Sequence, residues 1–232
     1  MIRLLDFLIS SIILMILTPL FIVVIVVLKL TGEHEAFYLQ ERVGTYGKSF
    51  RVIKFVTMLK DSPNLTGGFL TQKDDPRVLP IGKILRKWKI NELPQLFNVW
   101  IGEMSLVGPR PQARVHYDLY TASQKAAIDA QKPGLTGLGS LVFRDEESLL
   151  ERSGMSFDYA HDELIAPYKG ELETWFAANN SVVTYIKILV LTAFSLISPH
   201  RDYLRFFDGA PQAGPDLQRI FDKRSELGDS VD

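Results

Sequence analysis

Residues 91–111 read Asn-Glu-Leu-Pro-Gln-Leu-Phe-Asn-Val-Trp-Ile-Gly-Glu-Met-Ser-Leu-Val-Gly-Pro-Arg-Pro. A polar pair, Asn91 and Glu92, stands immediately before an apolar stretch, and Pro94 suits the first turn of a helix over residues 93–100, where its missing N–H costs nothing. Met104 to Val107 then read as a buried strand or turn. The segment ends in Gly108-Pro109-Arg110-Pro111, where two prolines fix φ on either side of one arginine. That loop serves either as a stiff corner with a surface arginine or as a rigid mount for a guanidinium that grips phosphate with two parallel hydrogen bonds.

Just upstream, Arg77, Lys83, Arg86, Lys87 and Lys89 occur with no acid between them. Such a run is either a solvated helix face or a cationic patch that neutralises a diphosphate and anionic lipid headgroups. Arg77 and Arg86 are the two expected to turn inward. Residues 81–90 should be helical, with a break before the next helix. Residues 61–76, rich in Pro, Asn, Gly and Asp, read as a loop.

The N-terminal end is of a different composition. From Phe7 to Leu28 no charge interrupts a run of Phe, Leu, Ile, Val and Met, and a helix of that length rises about 33 Å, enough to cross a hydrocarbon core. The run is too long for a signal peptide, and no small-residue cleavage site follows it. Pro19 near its middle predicts a kink, and the Thr18 hydroxyl can satisfy nearby backbone groups that lipid cannot. Flanking charges (Arg3 and Asp6 on one side, Lys29, Glu33 and Glu35 on the other) leave two topologies open, a spanning helix and one that enters and returns.

The whole chain has 232 residues, a net charge of −1 and no cysteine. That length gives one domain of ordinary size. The charge balance does not point to nucleic acid, and disulfides and thiolate metal sites are excluded. Phe37 to Gln40 and Phe50 to Val56 read as short strands joined by the turn Gly44 to Gly47. A phosphate-loop reading of Gly44-Thr-Tyr-Gly-Lys-Ser fails, because the required earlier glycine position holds Arg42. Ala122 to Ala130 reads as a short helix. Val182 to Ile197 is apolar but short for a span, which suits an in-plane interfacial helix or a buried one. From Gly209 onward the composition predicts a flexible end with a short helix near Asp216 to Glu226. His34, His116, His161 and His200 show no metal-ligand spacing and read as ordinary residues.

Taken in order, Thr18-Pro19, the block Gln40 to Met58, Asp75-Pro76-Arg77 with Gly82 and Arg86, the segment 91–111, and Pro133-Gly-Leu-Thr-Gly137 resemble the bacterial sugar transferases, small monotopic phosphoglycosyl transferases. The resemblance covers about residues 3 to 198. It implies a small α/β body of helices and short strands on a re-entrant N-terminal helix, with interfacial amphipathic helices. It divides the chain into a membrane-embedded segment 1–30, a transferase domain 31–200 and a polar extension 201–232.

The resemblance also implies a reaction. A UDP-sugar gives its phospho-sugar to polyprenyl phosphate and releases UMP, at the bacterial cytoplasmic membrane with the body facing the cytoplasm. Magnesium is the implied cofactor, because a hard dication suits diphosphate oxygens and carboxylates. Asn91 and Glu92 stand at the catalytic and metal positions, and Lys54, Arg77, Arg86, Gln95 and Arg110 at substrate-binding ones. A homodimer and downstream glycosyltransferases are the implied protein partners.

The family pattern has Asp where this chain has Asn91. A carboxylate can attack the β-phosphate, whereas a neutral amide cannot. Three readings stand: Glu92 takes over, as nucleophile or in assisting direct attack by the lipid phosphate; the chain binds substrate without turnover, as a scaffold or nucleotide-sugar sensor; or Asn91 is a helix cap, which is compatible with either.

Overall fold

The computed structural model describes residues 1–60, 62, 75–144, 146–198 and 201–228. The expected loop at 61–76 and His200 therefore lie largely or wholly outside the described residues. The chain forms two units, Met1–Glu41 with Phe50–Met104, and Arg42–Ser49 with Ser105–Asp232.

The first unit is organised on α1 (Ile2–Leu30), which continues through Pro19. The Thr18 hydroxyl donates to the Leu14 carbonyl at 2.8 Å, the use expected of it. This helix is long and apolar enough to cross a membrane. Part of it is packed, however: Phe21, Val24 and Leu28 form a core with Phe55 and Leu85. Strands β1 (Phe37–Val43) and β2 (Ser49–Phe55) pair in a two-stranded sheet, and the tip of that hairpin, Arg42–Ser49 with the 3-10 turn Thr45–Gly47, is counted with the second unit.

Helix α2 (Pro80–Lys87) follows the antiparallel bridge Met58↔Val78. A Cβ on Gly82 would stand 2.1 Å from the Thr57 carbonyl oxygen, so only glycine lets this helix lie against the end of β2. The expected break is built from Lys89, held left-handed at φ 56°, and the 3-10 turn Ile90–Glu92; α3 (Gln95–Ile101) comes next.

In the second unit, β3 (Ser105–Val107), wholly buried, pairs in parallel with β4 (Gly134–Thr136), in the register Ser105↔Gly134 and Val107↔Thr136. This pairing was not foreseen from sequence, because neither strand is long enough to show a period. Between them lie α4 (Arg114–Tyr117) and α5 (Ala122–Asp129), the latter opened by a Thr121/Gln124 capping box. Then come α6 (Leu138–Val142), α7 (Glu146–Ser153) and α8 (Phe157–Tyr159). The last runs into a π-helical turn, Ala160–Ile165, and on into α9 (Ala166–Ala178).

Helix α10 (Val182–Ser195) buries Tyr185 and Ile188 and exposes Val183, Ile186, Val190 and Phe194. It is therefore neither fully cored nor polar on its outer side. The expectation of a flexible end needs correction. Leu204, Phe207, Leu217 and Ile220 are buried, and α11 (Pro215–Gly228) packs through the last two.

Candidate functional site

Six of the seven expected catalytic and substrate-binding residues fall in the first unit. Asn91 is buried and Glu92 half-buried, in consecutive positions of one tight turn. The Glu92 carboxylate lies 3.7 Å from Lys54 Nζ on β2, with both side chains less than a fifth exposed. The Asn91 Oδ1 is buried without a hydrogen-bond partner among the described residues. It does not cap α3, whose N-cap position is Pro94 with no side-chain cap, so the capping reading is overturned. Asn91 lies three residues before that position, and the Leu96 and Phe97 N–H groups donate to the Leu93 and Pro94 carbonyls instead.

The basic run divides as expected. Arg77 is buried and Arg86 half-buried, while Lys83, Lys87 and Lys89 are exposed. The Arg77 guanidinium donates to both oxygens of Asp75, at 2.6 Å and 2.9 Å, and to the Ser62 carbonyl at 3.1 Å. That contact holds the Asp75 carboxyl below the ordinary carboxylate range, against the upward push of burial. Arg86 reaches the Met58 sulfur at 3.9 Å. Gln95 is buried in the first turn of α3.

Two organising residues of this unit carried no sequence signal that was read. Asn98 on α3 accepts from the Ile53 N–H at 3.0 Å and donates to Glu103 and to the Arg51 carbonyl, both at 2.8 Å, which fixes β2, the Lys54 strand, against α3. Arg3 donates to the Val99 and Trp100 carbonyls at 2.6 and 2.7 Å, satisfying the negative C-terminal end of α3. A cation just before an apolar run, far in sequence from its helix, has no local pattern by which to be recognised.

Arg110, the seventh residue, belongs to the second unit. Its loop is fixed by close backbone approach: a Cβ on Gly134 would meet the Gly108 nitrogen at 2.2 Å, and one on Gly137 the Gly108 oxygen at 2.2 Å. That contact explains why Gly108-Pro-Arg-Pro111 and Pro133-Gly-Leu-Thr-Gly137 occur together.

The backbone N–H groups of Arg110 and Gly139 donate to Glu173 on α9. Burial pushes the Glu173 carboxyl up to about 7, although Lys169 and those N–H groups pull it back. Its Oε2 is a buried atom without a partner among the described residues, which favours the neutral acid. Lys169 instead pairs with Glu146 at 2.6 Å. Burial pushes the Glu146 carboxyl up, but Lys169, then His161 and Arg110, outweigh it and hold it below the ordinary range.

His116 and His161, expected to be ordinary, have rings 4.5 Å apart in an edge arrangement. Burial and the neighbouring His161 lower the His116 pKa. The missed signal lies on α9, where Lys169, Leu172, Glu173 and Phe176 are all buried at the spacing of one helix face. Two charges on an apolar stripe mark a buried polar network.

The family model described as "Bacterial sugar transferase" matches residues 1–199. The chain is 34% identical over 171 residues to the "Exopolysaccharide production protein ExoY" of Sinorhizobium fredii, covering 68% of this chain and 75% of that protein. It is 33% identical over 210 residues to the "UDP-glucose:undecaprenyl-phosphate glucose-1-phosphate transferase" of Caulobacter vibrioides, covering 87% and 71%. A Klebsiella pneumoniae protein of the same description is 35% identical over 162 residues, 68% of this chain but 34% of that longer protein.

Proposed function

Since the chain belongs to the bacterial sugar transferase family, we propose that it transfers the phospho-sugar of a UDP-sugar to undecaprenyl or a related polyprenyl phosphate, releasing UMP. The supporting observation is the turn at residues 90–92. It presents a carboxylate paired with Lys54 next to a buried amide oxygen that has no hydrogen-bond partner among the described residues.

The lipid phosphate oxygen attacks the sugar-bearing phosphorus, a new P–O bond forms, and the bond to the UMP oxygen breaks. Lys54 offsets charge near Glu92. Arg86 is the further cation of the first unit assigned to the diphosphate, and Arg110 of the second unit is the one assigned to the lipid phosphate. Arg77, locked by Asp75, fixes the segment that leads into α2. Glu92 either orients that attacking oxygen or attacks first itself, expelling UMP to give an acyl phosphate whose acyl–O–P bond the lipid phosphate then breaks, restoring the carboxylate. Asn91 performs neither task, since an amide is not nucleophilic.

The donor set fits magnesium: Asn91 Oδ1 is an orphaned hard oxygen and Glu92 supplies an adjacent carboxylate. When bound, that ion neutralises diphosphate charge and makes UMP a better leaving group.

Membrane association follows from α1. A re-entrant rather than spanning placement, with the body on the cytoplasmic side, is supported by contacts at both ends of this helix. Arg3 bonds α3 carbonyls, while Phe21 packs on Phe97 of the same helix and on Phe55. A spanning helix would carry Arg3 about 27 Å away from Phe21, on the opposite face.

A second reading, a binding-only scaffold or sensor, is favoured by one observation, Asn91 in the position of the family's Asp. UMP release by purified protein with UDP-sugars, magnesium and polyprenyl phosphate separates the two. Release above a Glu92→Ala control supports the transferase, and its absence for every UDP-sugar supports the scaffold.

A further inference from the structure

Away from the Asn91 turn, the second unit gathers titratable groups that the transfer reaction does not use. His116 on α4 and His161 and Asp162 on the π-helical turn each offer a ligand atom, and these atoms lie within 4.8 Å of one another. We propose that His116, His161 and the adjoining Glu146 bind a transition-metal dication of the zinc type, with the two histidines as nitrogen ligands, Glu146 as the third ligand and Asp162 orienting the His161 ring.

The hydrogen bonding around His161 carries the argument. Its Nδ1 stands 2.6 Å from Asp162 Oδ1, and a carboxylate there accepts, so the ring proton belongs on Nδ1. In the neutral ring, the form a metal takes, Nε2 is then a bare lone pair. It faces Glu146 Oε1 across 3.8 Å, too far for a hydrogen bond. The other Glu146 oxygen is committed to Lys169 at 2.6 Å. Two electron-pair donors thus face each other across a gap. An ion about 2.0–2.2 Å from each ligand bridges such a gap after small side-chain adjustments. A carboxylate on the far nitrogen of a ligating histidine is the usual way to fix its tautomer and raise its basicity.

His161 is 4% exposed, which shields the set from water, and His116, half-buried, completes it from the solvent side. π-Helical turns are rare and gather at functional sites, and this one places His161 and Asp162 side by side in the cluster. Imidazole nitrogens select zinc, cobalt or nickel over magnesium, so the site is chemically distinct from the oxygen pair at Asn91 and Glu92. The ion would clamp α4, which begins three residues after Pro111, to the segment leading into α9. The inference stands whether or not the chain turns over substrate.

The test uses full-length, chelator-treated protein in detergent with millimolar magnesium, titrated with Co2+ and followed by its visible absorption. The expected result is one equivalent bound, with d–d bands displaced by Zn2+. Affinity should fall at least about 10-fold in His116→Gln, be lost in His161→Gln, and be unchanged in the exposed control Glu163→Gln. Because His161→Gln removes a buried group, His116→Gln on the half-buried α4 is the deciding variant. Absence of the absorption bands, or a titration identical in His116→Gln, would overturn the site and leave His161 as a buried ring hydrogen-bonded to Asp162.

Discussion

The turn at Ile90–Glu92 and the cluster around Glu173 and His161 each pair a lysine with a glutamate and each bury one side-chain oxygen without a partner among the described residues, but they differ in depth and tightness. The first leaves Asn91 Oδ1 without a hydrogen-bond partner among the described residues and holds Glu92 against Lys54 at a loose 3.7 Å. The second ties Glu146 to Lys169 at 2.6 Å and buries Glu173 fully beneath the Arg110 loop. The turn keeps Lys54 and Glu92 partly exposed, within reach of a substrate, whereas the cluster ties its groups to one another and to the backbone of the Arg110 loop, Glu173 Oε2 excepted. Substitutions in the first region should therefore cost activity with little loss of stability, and those in the second the reverse.

The largest effect is expected at Glu92. Glu92→Ala should lower UMP release at least about 10²-fold while circular dichroism and melting stay near those of the parent. A comparable fall in thermal stability would erase the contrast between the regions.

Next comes Glu173. Between pH 4.5 and about 7 an unfolded chain has lost the proton that the buried carboxyl still holds, so stability falls as pH rises across that window and levels off above it. The loss is on the order of 3 kcal/mol, and Glu173→Gln, which keeps an acceptor for the Arg110 and Gly139 N–H groups, should flatten it. Denaturant melts at pH 5 and pH 8 read the difference. An unchanged pH slope in the variant would remove Glu173 as its source.

Arg3→Ala strips the C-terminal end of α3 of its cation and should cost about 1–2 kcal/mol, with α1 more accessible to protease in detergent. Smallest is Lys54→Met, expected to raise KM for the UDP-sugar roughly 10-fold with fold intact, since a half-buried ion pair of this length contributes modestly. A larger effect on kcat than on KM would move Lys54 into the chemical step.

The two regions also differ in how far they could be read from the chain. The helix break before α3, the inward Arg77 and Arg86, the β1–β2 hairpin and the apolar α1 all follow from local spacing, which a sequence displays directly. The Gly108–Gly134–Gly137 contact, the Arg3 cap and the meeting of His116 with His161 depend on residues distant in the chain. No local period carries those. Asn91 shows the limit even within a motif: asparagine is a good cap residue, yet the proline at the α3 N-cap position leaves it uncommitted.

The most direct measurement is UMP release from a panel of UDP-sugars by the purified chain, its Glu92→Ala variant and its Asn91→Asp variant, with polyprenyl phosphate and magnesium. A transferase carried by Glu92 predicts release by the chain itself, loss in Glu92→Ala, and retained or increased release in Asn91→Asp. No release above the Glu92→Ala background from any sugar, with activity appearing only in Asn91→Asp, would contradict it.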